Sequence, residues 1–474
     1  LDGAIEVDSE TGAVTVTAFE GRTQAGRTRD SQSSYAQIGH VGSSTGMERV
    51  SATGQINVTG TELFFRGGNQ SDGYAFAQLG HGGANSKGDF AGDIFATATT
   101  GGIQFLGGVE TIYDGGSAGN YAQLGHGGYD ADGTHSGNIT VTAGVDAVGG
   151  FGLNFVAGNH LYSSVQLGHG GYNARSTDSA DPQGFTGSIS IDTVGDIFFT
   201  GGNGIDGSAS ANHNLSAHLG HGGYDADAVN SNTNFLSDPD WGHSGAIAVI
   251  STAGDIVFSA GGTGGTTNNT GRLHWAQLGH GGYAAGGNHH GDITVEATKG
   301  DVLIHAGGNS YDNDTDRYNY AQLGHGGTND QGNFGLAGDT IKVTAGGEVG
   351  VRGGEGTHNF AMIGNGGYNS DGTHRGAIEI YANDTVAMDG STIGGGVVVS
   401  GGSVDSGTAP NEAYAMIGHG GYGSSGDHEG SITVNAGEAG LDFDAGTGSF
   451  TFAMLGHGSA YSNGDQSGVI SVET

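Results

Sequence analysis

Ala122-Gln123-Leu124-Gly125-His126-Gly127-Gly128, followed further along by Gly137-Asn138-Ile139-Thr140-Val141, is the stretch whose reading decides the fold. The first phrase recurs ten times, with its fifth residue at His40, His81, His126, His169, His221, His280, His325, Asn365, His419 and His457, at spacings of 38 to 59 residues. Two further phrases follow each copy in fixed order. One is glycine, one residue, then Ile-x-Val or a variant, as at Ile56 and Val58 or Ile293 and Val295; the other alternates again and ends before glycine, as in Ile103-Gln104-Phe105 and Ile256-Val257-Phe258. A repeat of this length made of three segments is one supersecondary unit that must stack on its neighbours to bury anything.

All three segments have period two, are enriched in β-branched residues, and are punctuated by Gly, Asn, Asp and Ser, which describes strands; no stretch carries the i, i+3, i+4 pattern of a helix. Stacking like strands in parallel and in register predicts an all-β parallel β-helix (β-solenoid), three short strands per coil and about ten coils, running as one unit over residues 1–474. At about 4.8 Å per coil the stack would be roughly 50 Å long. A coil of this size is generous, and two smaller rungs per repeat is the competing count. One rung is preferred because the long, polar connections absorb the length variation, and all three prolines, Pro182, Pro239 and Pro410, fall there.

Composition excludes several classes. Glycine supplies 102 of 474 residues, yet with three prolines and no three-residue period this is not collagen. Thirteen Lys and Arg against 49 Asp and Glu give a net charge of −36, so nucleic acid would be repelled, while divalent cations, calcium among them, are an option. There is no cysteine for disulfides or thiol chemistry, and no apolar run of the roughly 20 residues that cross a bilayer, so no membrane insertion is expected. The chain opens at Leu1 and closes on a second-type strand, as a piece of a longer fibre or a polymerising subunit would.

Within the first strand, Ala and Leu or Ile should face the core. Gln37, Gln78, Gln123, Gln166, Gln277 and Gln322 would then stand on the opposite face beside an aromatic column (Tyr35, Phe76, Tyr121, Trp275, Tyr320, Phe360, Tyr414, Phe452). Stacked amides predict a glutamine ladder bonded amide to amide along the axis. The nine histidines of the phrase and Asn365 read as a structural ladder and not as a metal row: Asn is a poor transition-metal ligand, and no carboxylate or thiol recurs beside them. Two such imidazoles charged at about 4.8 Å would repel by roughly 3.5 kcal/mol at an effective dielectric of about 20, so neutral rings are expected. A second set, His135, His243, His290, His374 and His428, shares its place with Phe90, Phe185 and Gln466, so a stacking planar group is the requirement. Asp130-Ala131-Asp132-Gly133 and Asn369-Ser370-Asp371-Gly372 lack the spacing and terminal Glu of a calcium loop and read as Asx-type turns.

A catalytic site on such a fold would show as a local break in the repeat. The breaks at 173–184, 225–241 and 383–394 bring together no nucleophile–base or paired-acid set, so no catalytic residue, no metal ligand and no resident cofactor is assigned. Phe235, Leu236 and Trp241 are the residues named for ligand contact, since exposed aromatics suit glycans or protein partners.

The Ala-Gln-Leu-Gly-His-Gly-Gly phrases, their Gly-x-Ile-x-Val partners and the lack of cysteine resemble the repeat regions of filamentous-haemagglutinin-like exoproteins and large autotransporter adhesins. The resemblance covers nearly the whole chain. It implies a right-handed parallel β-helix, secretion to the extracellular or cell-surface space, and a role in adhesion or biofilm matrix; the family's secretion domain and membrane barrel have no counterpart in these residues, which leaves the export route open. The expectation is therefore a structural or adhesive fibre that self-associates end to end or laterally and meets a host or neighbouring cell surface, with glycans as possible ligands. The rival readings are a polysaccharide-active β-helix enzyme and a calcium-dependent glycan-binding module.

Overall fold

The structure, a computed structural model, describes residues 1–18, 34–43, 48–68, 74–109, 119–144, 150–159, 161–176, 184–203, 214–228, 241–262, 272–308, 317–386, 392–403 and 411–474. Among these there is no helix. Three parallel sheets carry the fold. One of eleven strands runs from Ile5–Asp8 to Ile470–Glu473, one of ten from Val14–Thr17 to Leu441–Asp444, and one of ten, built from the recurring phrase, from Ser34–Ile38 to Ala453–Leu455.

Every strand pairs with its counterpart one repeat away. Ala122 lies between Ala77 and Val165, Gln123 between Gln78 and Gln166, and Leu124 between Leu79 and Leu167. The Ile139–Ala143 strand likewise lies between Ile94–Ala98 and Ile189–Thr193 without slippage. One repeat is therefore one coil, which settles the rung count. Register is this strict because a one-residue slip would turn each apolar set outward.

The interior is filled by the alternate residues of the three sheets. Ile139 and Val141, Leu153 and Phe155, and Ala122 and Leu124 are all buried in one continuous core. Phe65, Phe105, Phe155, Phe199 and Phe258 stack along the axis with centroids 4.5 to 4.9 Å apart. The eleven-stranded sheet and the ten-stranded sheet that starts at Val14–Thr17 alternate buried and partly exposed positions, as half-solvated strands should.

The phrase sheet departs from that rule. Gln123 is buried along with Ala122 and Leu124, so the face expected to oppose the core is itself covered. From His81 to His419 the chain folds back through the Gly-Gly pair that follows the fifth residue of the phrase and closes over this outer face, creating a smaller apolar layer around Trp275, Tyr320, Phe360, Met362, Tyr414 and Met416. Glycine is obligatory at the fold-back. From Gly80 to Gly418 the residue before the histidine has φ of +144° to +152° or slightly more, and an added Cβ would lie 1.8 to 2.0 Å from a glycine carbonyl oxygen of the next coil.

The three prolines lie outside the described residues. In the 383–394 insertion, Thr385–Val386 and Thr392–Ile393 pair antiparallel, outside the three parallel sheets.

Replacing Gly168 by Ala should cost about 2–4 kcal/mol in denaturant unfolding, because the carbonyl of Gly220 stands 1.9 Å from the new Cβ. Gly338→Ala, where nothing lies within 4 Å of the new atom, should change stability by less than about 0.5 kcal/mol.

Candidate functional site: the stacked imidazole columns

The phrase histidines form a column whose rings are parallel. From His40 to His325 the successive centroids are 4.7 to 5.1 Å apart with interplanar angles of 14° or less, and His419 and His457 stack in the same way at 5.0 Å. From His81 onward each ring is fastened at both nitrogens to the preceding coil. In His126, Nδ1 accepts the backbone N–H of His81 at 2.9 Å and Nε2 donates to the carbonyl of Gly92 at 2.8 Å; in His169 the partners are the N–H of His126 and the carbonyl of Gly137. The scheme continues through His221, His280, His419 and His457.

These bonds assign the tautomer, since an Nδ1 that accepts from an amide is bare and the ring proton sits on Nε2. Asn365 supports this assignment: its Oδ1 accepts the N–H of His325 at 2.8 Å and its Nδ2 donates to the carbonyl of Arg375 at 2.7 Å. An amide thus reproduces the acceptor contact of a neutral imidazole to the preceding coil, while its donor turns to a carbonyl of its own repeat. Burial holds the rings far from protonation, pushing His169 and His325 down to about 4 and His419 to about 3, and moving His126, His221 and His280 well below their ordinary value. With both nitrogens committed to protein and no solvent access, the column has no lone pair to offer a metal.

The glutamine ladder is rebuilt by the structure. The amides do not bond to one another; Gln78 Nε2 donates to the carbonyls of Gly125 and Gly127, both at 3.0 Å, and Gln123 to those of Gly168 and Gly170. Gln37, Gln166, Gln277 and Gln322 do the same for their neighbours. The fold-back exposes glycine carbonyls toward each amide group, and a backbone acceptor there must be paired. His218 fills one interruption by bonding Gly279 at 2.8 Å, whereas Met362 and Met416 pack into the apolar layer. The aromatic column is present as Tyr35–Phe76–Tyr121 and Trp275–Tyr320–Phe360–Tyr414–Phe452.

The second ring column also forms, with one correction. It runs Phe90, His135, Phe185, His243, His289, Phe334, His374, His428, with centroids 4.6 to 5.7 Å apart. The member is His289 and not His290, because the stacked position is the second residue before the glycine, and strand alternation turns His290 outward beside Ser244. Ser370 Oγ meets His374 Nε2 at 2.9 Å, and the Nδ1 atoms of His374 and His428 lie 2.9 Å apart. His289 Nε2 is 3.6 Å from Asp330 Oδ2, both side chains fully buried; burial drives the imidazole down to about 3 and the carboxyl well up, so the pair is neutral.

Asp130, Asn173, Asp225, Asn329 and Asn369 occupy the left-handed region with φ of +51° to +56°, as turn residues that tolerate it should. Carboxylates elsewhere join the stack: Asp93 Oδ1 accepts the N–H of Asn138, and Asp255 Oδ1 that of Asp301, each at 2.8 Å. Among the described residues no three or more His, Cys, Asp or Glu side chains are placed to hold a metal ion. Phe235 and Leu236 lie outside the described residues. Trp241 is half-buried and its carbonyl accepts the N–H of Asn288 at 2.7 Å.

One element went unread in the sequence. Tyr129, Tyr172, Tyr224 and Tyr283 stack at 4.6 to 5.1 Å, partly exposed, and cover the outer face of the phrase sheet. A Tyr after Gly-Gly in six repeats was the signal. Their ring faces are used against each other, and the hydroxyl of Tyr283 accepts from Asn329 Nδ2 at 3.1 Å.

Comparison of the chain with protein-family models, with curated proteins and with solved structures returns no match.

Two outcomes follow from the imidazole geometry. Sixteen histidines are shifted down by burial, against three carboxylates, Asp227, Asp255 and Asp330, shifted up. A histidine that titrates at 6.5 when unfolded and near 4 when folded makes the unfolded chain bind more protons between those values, so its stabilisation is complete above pH 6.5 and is lost as pH falls toward 4. The carboxylates act in the opposite sense but are outnumbered. The melting temperature should therefore fall from pH 7 to pH 4.5, and an unchanged value would contradict the neutral-ring assignment. His169→Asn should keep the bond to the N–H of His126 and cost about 1 kcal/mol, whereas His169→Ala, which orphans both a buried N–H and a carbonyl, should cost about 2–4 kcal/mol in chemical denaturation.

Proposed function

We propose that this chain is a non-catalytic structural segment of an extracellular, surface-attached or matrix fibre, with adhesion as its role. The observation that carries the reading is that the buried ionisable and amide side chains of the repeating phrase are consumed in joining one coil to the next. A catalytic group needs an atom that can meet a substrate. His126, His169, His221, His280 and His419 have none left, and the Gln amides are spent on backbone carbonyls. A net charge of −36 keeps such a rod soluble and spaced from its neighbours.

Axial extension is a property of the stack. Each internal strand pairs in register on both sides with like strands, as Ile432–Asn435 does with Ala377–Ala382 and Ile470–Glu473, so coils of this pattern add one to another along the axis. A further coil can belong to a longer chain or to a second copy. The resemblance to exoprotein and adhesin repeats supports an extracellular setting and an adhesive use.

Electron microscopy of the native material should show thin unbranched filaments. Compact particles that steadily cleave acidic polysaccharides would replace this reading by that of a β-helix enzyme. A chelator should leave the melting temperature unchanged, since the Asx turn oxygens are engaged one to another, as Asp130 Oδ1 is by Asn173 Nδ2, and no three ligand side chains converge among the described residues; a clear drop would favour the calcium-dependent module.

A further inference from the structure

The outward position beside the second ring column is small for most of the stack: Ala91, Ser136, Thr186 and Ser244 follow one another in register, and then His290. The pairing of His289 with Phe334, and of Phe334 with His374, places Gly335 above His290 and Arg375 above Gly335. Two long side chains capable of donating hydrogen bonds are thus separated by a residue without a side chain, with main chains roughly 9.6 Å apart. The gap is a cavity of about 130 Å³.

The gap is built in by the sequence. The connection from Phe334 to Ile341 is three residues longer than the equivalent one from His289 to Ile293, and the extra residues bulge out of the coil. Asp339 pins the bulge, its Oδ2 accepting the N–H of Gly291 at 3.0 Å and of Leu336 at 2.8 Å, and this sets Leu336 at the rim with 38% of its surface exposed. Gly335 must be glycine: its φ is +75° and a Cβ would lie 2.2 Å from the carbonyl oxygen of Arg375. The other wall is Asn288, Asn333 and Thr373, stacked in that order, with Asn333 Oδ1 accepting the N–H of Thr373 at 3.0 Å. That bond orients the carboxamide and makes its NH₂ the group that can meet a ligand. Arg375 is anchored through Nε to Glu429 Oε2 at 3.0 Å, which leaves the terminal guanidinium nitrogens as its remaining donors.

We infer that this notch binds a single neutral pyranose unit of a glycan. Its volume is far below the roughly 300–1,000 Å³ of sites for larger organic ligands and suits one ring. Guanidinium, imidazole and carboxamide donors face a threonine hydroxyl that both donates and accepts, which matches a polyol, and Leu336 offers an apolar surface for the C–H face of the ring. An anionic ligand is disfavoured because Glu429 already neutralises Arg375 and the whole chain is at −36. The notch lies beside Trp241, whose carbonyl holds the N–H of Asn288.

The inference builds on the adhesive-fibre reading by naming a ligand class, and the two fail separately. Filaments that bind no hexoside would sink the notch alone, and hexoside-binding particles that never form filaments would sink the fibre alone. The experiment titrates the full chain with methyl glucoside, methyl galactoside and methyl mannoside, and separately with sodium acetate and inorganic phosphate, following saturation-transfer NMR and calorimetry. At least one hexoside should bind with a dissociation constant of about 1–10 mM, weakened about tenfold or more by His290→Ala and by Arg375→Ala. Leu336→Asp, at the rim and outside the stack, should also abolish binding, while Ser136→Ala in the same outward column should leave it unchanged. No saturation by any hexoside below about 50 mM overturns the proposal, as do affinities indifferent to all three notch variants, or binding of acetate or phosphate in preference to sugars.

Discussion

Each coil can satisfy its polar groups only through the coil beneath it, and the neutral imidazole is the device on which this depends. A fold-back through consecutive glycines exposes amide N–H and carbonyl groups that no strand ladder reaches. Buried and unpaired, each would cost on the order of 1–3 kcal/mol. The ring answers two of them at once, with a bare Nδ1 for the histidine N–H and an Nε2–H for the glycine carbonyl at the entry to the eleven-stranded sheet. Glutamine answers the glycine carbonyls on the other face of the same strand. Because the partners belong to the adjacent coil, the contacts that stabilise one repeat also set its register on the next.

Seen this way, the glycine content and the polar interior have one origin. The coils approach so closely at Gly125 and Gly168 that a methyl group would overlap a carbonyl oxygen. Such an approach brings rings to 4.8 Å, close enough to stack and too close to share positive charge. Acid sensitivity is thus a consequence of how the stack is fastened. The acidic residues stand apart from this, at turns and strand entries such as Asp93 and Asp255, where a carboxylate or amide oxygen receives the next coil's N–H.

A repetitive stack shows function where repetition fails. The three extra residues between Phe334 and Ile341 leave the ring column and the second sheet in register, with Phe334 still over His289 and Ile341 still beside Ile293, because the bulge leaves the coil and returns at the same place. The scaffold can therefore carry a notch at no cost to its core.

The sequence alone determined the three strand types, their apolar faces and the columns of like residues, because period-two alternation repeats in fixed order; that one repeat is one coil was decided by the pairing of each strand with its counterpart. It also determined that the phrase histidines are structural, since Asn365 can replace an imidazole that bonds to backbone but not one that binds a metal. Tertiary structure decided what lies over the outer face of the phrase strand. Gln123 reads as surface in a strand pattern, and only the return of Gly127 and Gly128 over it shows the residue to be buried and bonded to backbone instead of to another Gln. His289 and His290 could not be told apart by adjacency, because which of two neighbours stacks depends on the parity of the strand leading into Gly291. The notch at Gly335 was likewise invisible along the chain: its walls come from three successive coils, and only the pairing of one coil on another brings His290, Asn333 and Arg375 together.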